Sequence, residues 1–310
     1  MNDPKKVLVL GGSGLVGSSV VRKLGSSAKF IVLAPSSTDL NLLDRNKVFD
    51  FLKLQNPDVI IDAAGHVGGI AENWRFPQDF ISLNLQMQVN LLDAALNNNV
   101  ERFLFLGSSC IYPKYADQPI KEKSLLSGYL EESNKAYAVA KIAGITQIQA
   151  IRKQYGKNYI SIMPTNLYGP NDNFGPESSH VLPGLIGKFA AATKSSVSRI
   201  NLWGTGSPLR EFLHVDDLAS ALETLINAYD DDEPINIGSG SEISIRDLAE
   251  KIALQFGYGG EIDWNSDMPD GTPRKILNSE KIRNLGWSPK ISLEEGLQMT
   301  IGWYKTNYDN

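Results

Sequence analysis

The apolar positions of this chain fall into two alternating patterns. Short continuous runs come first: KVLVL at 6–10, FIVLA at 30–34, DVIIDAA at 58–64, RFLFLGS at 102–108 and YISIMP at 159–164. Between them lie longer stretches in which apolar residues recur three and four apart: LVGSSVVRKL at 15–24, RNKVFDFLKLQ at 45–55, NLQMQVNLLDAALNN at 84–98 and YAVAKIAGITQIQAIRKQY at 137–155. Continuous runs of that length are strands buried on both faces, and the three–four spacing is the buried stripe of a helix. Strand–helix alternation of this kind predicts an α/β fold, a doubly wound Rossmann-type parallel sheet.

After Pro164 the rhythm loosens. NLYGPNDNFGPESSH at 166–180 reads as a long loop rich in Gly, Pro, Asn and Ser. Loops of that length inside compact domains are usually functional. A helix is then expected at 215–229, a strand at 234–239, a helix at 244–256, a strand at 261–265 and a last helix from Ser292. The expected division is a cofactor-binding domain over 1–165 plus about 211–239. A smaller C-terminal α/β substrate domain takes about 166–210 and 240–310. A chain of 310 residues is long enough for both.

Charge and composition narrow the classes. The net charge of −5 shows no basic excess, so nothing favours nucleic acid as a partner. No window approaches the ~18 uninterrupted apolar residues of a membrane span. The opening MNDPKKVLVLGGSG does not read as a signal peptide, because VLVL is too short and runs into glycines. The single cysteine rules out an internal disulfide framework and fits a reducing, cytoplasmic setting. No metal is expected.

Gly11, Gly14 and Gly17 lie where the first strand hands over to the first helix. One glycine permits a tight turn, one lets backbone approach a pyrophosphate, and one lets helix pack close on strand. Ser13, Leu15 and Val16 complete the loop, and the helix N-terminus offers free N–H groups to an anion. In an NAD enzyme the second strand should end in an acid. Here it ends LAPSSTD, with no acid before Asp39 and no arginine. Ser36, Ser37 and Thr38 can bond a 2′-phosphate, so the expected cofactor is NADP(H).

Ser108 stands at the carboxyl end of the fourth strand, where ligands sit in doubly wound sheets. Tyr137 and Lys141 are four apart on one helix and share a face. A cation beside a phenol is expected to lower its pKa from about 10 and make it a usable acid near neutrality.

With glycine loop, Ser108 and Tyr137-x-x-x-Lys141 in view, the sequence resembles the extended short-chain dehydrogenases/reductases. FLGSSCIYPK (105–114), MPTNLYGPNDNF (163–174), SHVLPGL (179–185), REFLHVDDLA (210–219) and PDGTPRK (269–275) are similar to the branch that acts on a GDP-linked 4-keto-6-deoxymannose. The resemblance implies epimerisation at C3 and C5 and NADPH reduction at C4. It also implies that Cys110 and His180 carry the epimerisation protons. A thiol (pKa about 8.5) and an imidazole (about 6.5) exchange protons readily near pH 7.

The same resemblance puts Ala63, Ala64, Asn84, Leu106, Gly107, Ser109, Pro164, Asn166, Leu167 and His180 around the cofactor. It puts Lys188, Trp203, Arg210, Asp270 and Lys275 around the nucleotide sugar. Lys188 and Ser13 stand where the family often has arginine. His66 and His214 receive no catalytic role. Another nucleotide-linked 4-keto sugar, such as a GDP-6-deoxyheptose, and a non-catalytic dinucleotide sensor remain open. A homodimer is expected through helices 84–98 and 137–155. Ala138, Val139, Ala140, Ile142, Ala143, Ile145, Ile148, Ala150 and Ile151 spread over more than one helix face, and the family usually pairs these helices between subunits.

Overall fold

A computed structural model describes residues 3–308 except Glu177 and Pro269, the latter part of the PDGTPRK segment. The first half runs β1 (Lys5–Leu10), α1 (Leu15–Gly25), β2 (Phe30–Leu33), α2 (Arg45–Gln55), β3 (Val59–Asp62), α3 (Ile70–Arg75), α4 (Pro77–Asn97), β4 (Arg102–Leu106), α5 (Lys135–Tyr155) and β5 (Asn158–Pro164). The second runs β6 (Asn166–Tyr168), α6 (Val181–Lys194), β7 (Arg199–Trp203), β8 (Leu209–His214), α7 (Val215–Ala228) and β9 (Ile235–Ile237). It ends with β10 (Glu242–Ser244), α8 (Ile245–Phe256), β11 (Glu261–Asn265), β12 (Arg274–Lys275), α9 (Glu280–Asn284) and α10 (Leu293–Tyr308).

Six strands pair in the order β2-β1-β3-β4-β5-β9, every neighbour parallel. Alternate residues of each strand face opposite sides of a sheet. Val7, Val9, Ile61 and Leu104 thus pack with Val20, Leu24, Leu218 and Leu222 of α1 and α7. Leu8, Ile60, Phe103 and Phe105 pack with Leu52, Leu91 and Ile145 of α2, α4 and α5. This is why the strands read as continuous apolar runs. The chain steps from β1 out to β2, then back across β1 to β3. The crevice at the carboxyl ends of β1 and β3 is the switch point where such sheets bind ligands.

The remaining strands pair outside the main sheet. β8 pairs with β6 in parallel, with β10 antiparallel and with β12 in parallel. β7 pairs with β11. A third core joins Phe174, Leu182, Phe189, Leu248, Leu297 and Ile301 from the 166–180 segment, α6, α8 and α10. Ile282 and Trp287, from the part expected to lie with the substrate, pack instead into the α1–α7 side of the main sheet.

Several elements escaped the sequence pattern. α6 contains Pro183, Gly184 and Gly187, residues that read as turn. Pro183 sits in the helix's first turn, where no backbone N–H is required. α4 starts at Pro77 rather than at residue 84, again with proline at its first position. β8 hides Glu211, fully buried because its carboxylate accepts from Gly240 N (2.6 Å) and Leu277 N (3.0 Å).

The helix used to argue for a dimer needs a correction. Ala138, Ala140, Ile142, Ile145, Ile148 and Ile151 are all buried within the chain. α5 packs on the sheet and, alongside, on α4, so two of its faces are consumed internally. Gly144 serves the same packing, since a Cβ there would sit 2.5 Å from the Phe105 ring. Val139 remains 38% exposed. Among the described residues no helix is long and apolar enough to cross a membrane, and no cluster of His, Cys, Asp and Glu could hold a metal ion.

Candidate active site

Gly11 takes φ +73°, a left-handed conformation, and a Cβ there would lie 2.7 Å from the Ala63 carbonyl oxygen. A Cβ on Gly17 would lie 2.0 Å from the Gly11 carbonyl oxygen. Both glycines are therefore required for α1 to start hard against the ends of β1 and β3. Ser13 and Gly14 are exposed there, with Leu15 and Val16 half-buried behind them. Side chains would fill this cradle, and its floor is backbone facing a helix N-terminus, which fits a dinucleotide pyrophosphate. Ser36, Ser37 and Asp39 form an exposed turn after β2, beside the place where the adenosine ribose of such a ligand belongs.

Asn84 is buried, and its amide is occupied. Oδ1 accepts from His66 N (3.0 Å) while Nδ2 donates to His66 O (2.9 Å) and Phe80 O (2.7 Å). It holds the loop after Ala63 and Ala64. Asn166 likewise donates to Glu211 O (2.8 Å), close to Pro164 and Leu167. His214 caps α7 by accepting from Asp216 N (3.2 Å), which makes it structural. The ring of His66 rests on Phe80 at 4.6 Å.

Ser108 lies two residues beyond β4 in extended backbone, and its Oγ accepts from Cys110 N at 3.2 Å. Lys141 is buried on α5 and donates to the Leu106 carbonyl at 2.9 Å, beside Gly107 and Ser109. Its ammonium lies over the Phe105 and Tyr137 rings, 4.8 and 5.9 Å from their centroids. Burial lowers the Lys141 pKa, and the Asp62 carboxylate partly offsets this. Asp62 ends β3 and is itself pushed up to about 6, by burial first, against the Lys141 charge and a bond from Ala64 N.

Tyr137 departs from expectation. Its phenol is pushed up, not down. Burial is the main cause and Cys110 adds to it, while the Ser108 hydroxyl facing the phenol acts the other way. The Lys141 ammonium, over the ring and donating to the Leu106 carbonyl, does not outweigh that burial. The site therefore holds a protonated phenol.

Cys110 sits in a single tight turn, Ser109–Ile111, partly open to the cleft. The next residue but one anchors it: buried Tyr112 donates to Asn236 Oδ1 at 2.6 Å. Lys275 lies 3.6 Å from the Cys110 sulfur and opposite Arg210 across the β12–β8 pairing. Lys275 also acts on His180, the N-cap of α6. The His180 ring opens on the cleft, yet enclosure by protein depresses its pKa and the Lys275 charge depresses it further.

Arg210 links this centre to the outer cleft. Burial lowers its pKa, and Cys110, Asp270 and Glu131 act in the opposite sense. Asp270 accepts from Thr205 N (2.7 Å) and Thr205 Oγ1 (2.8 Å). Trp203, at the end of β7, is 62% exposed. Lys188 lies two turns beyond His180 on α6, on its exposed side, with a pKa lowered by partial burial. No hydrogen bond or ion pair among the described residues joins it to the Cys110–Lys275–Arg210 row. Asp62 and Tyr112 were missed in the sequence. An acid inside the apolar run VIIDAA was the available signal for the first.

A family model described as the NAD dependent epimerase/dehydratase family matches residues 7–238, and the chain belongs to that family. Among named relatives, the probable GDP-L-fucose synthase 1 of Oryza sativa subsp. japonica is 53% identical over 97% of this chain and 92% of its own length. GDP-L-fucose synthase 1 of Arabidopsis thaliana is 50% identical over 98% and 94%. Among solved structures, a GDP-6-OMe-4-keto-L-xylo-heptose reductase from C. jejuni superposes with a TM-score of 0.93 at 31% identity, covering 99% of both chains. A GDP-L-fucose synthetase from Naegleria fowleri bound to NADP gives 0.90 at 28%, covering 100% and 97%.

Proposed function

We propose that this chain converts GDP-4-keto-6-deoxy-D-mannose to GDP-L-fucose, inverting C3 and C5 and reducing C4 with NADPH. One observation supports the reading: Ser108, Tyr137 and Lys141, read as the reductase set, adjoin Cys110, and Lys275 bears on both Cys110 and His180, read as the epimerisation pair. A reductase alone needs only the first set. The sequence relatives favour the deoxyhexose over the heptose.

The C3 and C5 hydrogens of a 4-keto sugar are acidic because their loss places charge on O4. The Ser108 hydroxyl and the Tyr137 phenol are the donors aimed at that oxygen. Cys110 and His180, supplied by separate elements, remove and return protons on opposite faces of the ring. Tyr137, kept protonated by burial, then gives its proton to O4. NADPH, when bound, supplies the hydride. The Gly11–Gly17 loop and the Ser36–Asp39 turn hold its pyrophosphate and adenosine ends. Arg210 and Lys275 meet the GDP diphosphate, and Trp203 and Asp270 its nucleoside. In this reading the main sheet, 1–165 with about 211–239, serves the cofactor, and the rest serves the sugar nucleotide.

Incubation with GDP-4-keto-6-deoxymannose and NADPH, followed by NMR of the product, tests the proposal. GDP-L-fucose is the expected product. A reduced sugar with C3 and C5 unchanged, or no turnover, refutes it. We further propose a homodimer through exposed Val139 and Ala150 and half-buried Ala143 of α5, with exposed Val89 of α4, and a cytoplasmic location, which suits a lone free thiol.

A further inference from the structure

Cys110 and Lys275 stand 165 positions apart in the chain, yet their side chains meet at 3.6 Å. Lys275 is fixed from its own side. It pairs with Arg210 of β8, and two residues on, Leu277 N donates to the buried Glu211 carboxylate at 3.0 Å. The bonds of the cysteine turn are local. Cys110 N donates to Ser108 Oγ at 3.2 Å, and Tyr112 N donates to Ser109 O at 3.4 Å. They shape the turn but do not reach β12.

The link runs through Asn236, in the middle of β9 and fully buried. Its Oδ1 accepts from the Tyr112 hydroxyl at 2.6 Å, and its Nδ2 donates to Ile120 O at 3.0 Å. Ile120 O also accepts from Asn278 N at 2.8 Å, and Ile120 N donates to Ile276 O at 2.8 Å. Asn236 N donates to the buried Glu122 carboxylate at 3.1 Å, and β9 itself is held by β5 through the Met163–Asn236 register. One amide, used on both its donor and its acceptor side, thus joins the cysteine turn to the stretch that follows Lys275. Burying a carboxamide costs free energy unless it is bonded, and an apolar side chain would serve packing alone. We propose that Asn236 is a positioning residue for epimerisation, which sets the reach of the Cys110 sulfur to Lys275 by holding Tyr112 and Ile120 together.

This role rests on the reading of Cys110 as a proton carrier. Cys110 is the only cysteine in the chain, so alkylation reads that one sulfur. Iodoacetate is anionic and iodoacetamide neutral. The ratio of their rates cancels the access and ionisation of the thiol and responds to the positive charge beside it. Lys275→Met should lower the ratio about fivefold, the scale of one unit charge about 4 Å away in water. Asn236→Ala removes both ties, and Tyr112→Phe keeps the ring and loses only the hydroxyl. Each should lower the ratio at least about twofold as the sulfur and the ammonium separate. In Lys275→Met neither change should lower it further. Exchange of the C3 and C5 hydrogens should fall about tenfold in both variants, while NADPH affinity stays that of the wild type. An unmoved ratio or an unmoved exchange rate in either folded variant overturns the proposal. So does a fall that adds in full to that of Lys275→Met. If Asn236→Ala does not fold, Tyr112→Phe decides alone. A wild type without exchange at C3 and C5 removes the epimerase reading and this role with it, whereas normal wild-type exchange with unmoved variants removes the role alone.

Discussion

The Lys275 ammonium lies 3.6 Å from the Cys110 sulfur and also bears on His180, so one cation faces both groups assigned to epimerisation. Lys275→Met removes a charge that depresses the His180 pKa. The imidazole should then stay protonated to higher pH. The expected outcome is an alkaline displacement of the His180 limb in the pH profile of C3 and C5 hydrogen exchange, read by NMR in deuterated water. Lys275→Arg should bring the limb back. A profile that does not move in Lys275→Met removes Lys275 from this role.

Tyr137→Phe deletes the proposed proton donor for C4. Reduction should fall by at least ~10²-fold, while exchange at C3 and C5 persists because Ser108 still faces O4. Burial also pushes the wild-type phenol up. Reduction should accordingly show no loss of the acid below the ordinary phenol value of about 10. Near-normal reduction by a folded Tyr137→Phe would reassign the proton.

Cys110→Ser keeps the turn and its bond to Ser108, yet replaces the proposed proton carrier with a hydroxyl that ionises far less readily. The folded variant should lose deuterium incorporation at C3 and C5 and release GDP-L-fucose at a rate lower by orders of magnitude. Fucose formation at the wild-type rate would mean that Cys110 only packs.

The parts of this site that are local in sequence were legible as sequence. Gly11 to Gly17 are one turn and the start of one helix, and Tyr137 and Lys141 share a helix face. The expected direction of the Tyr137 shift failed because spacing says where two side chains emerge, not how deeply they are buried. The contact of Lys275 with Cys110 spans 165 positions. It depends on β12 lying beside β8 and on Ile120 exchanging hydrogen bonds with Ile276 and Asn278. Nothing in the spacing of PDGTPRK encodes that pairing. α6 was hidden by its own Pro183, Gly184 and Gly187, so His180 read as the end of a loop although it caps a helix.

Asp62 sets a stability prediction. Burial raises its folded-state value to about 6, above an unfolded carboxyl near 3.9. The unfolded chain therefore releases this proton first, and stability falls as pH rises through the window from about 4 to 6. Asp62→Asn should gain up to about 2–3 kcal/mol over the wild type above that window and nothing below it. Denaturant melts at pH 4 and pH 8 provide the check. Equal differences at both pH values would show that the carboxyl is not held neutral by burial.

The exposed positions on α5 give the last prediction. Ile148 is 1% exposed and packs in the core beneath the sheet, so Ile148→Asp places an unpaired charge among apolar side chains. That change should cost several kcal/mol and report on folding alone. Val139 is 38% exposed on the opposite side of the helix, near Val89 at 37% on α4. Val139→Asp should leave the melting temperature of the fold nearly unchanged at concentrations where the wild type is already dissociated. It should also shift light-scattering mass at micromolar concentration from the dimer to 34.0 kDa. Paired apolar side chains of this size lose most of their favourable burial when one becomes a carboxylate. A wild type that already scatters as a monomer, or a Val139→Asp protein that remains dimeric, would move the interface away from α4 and α5.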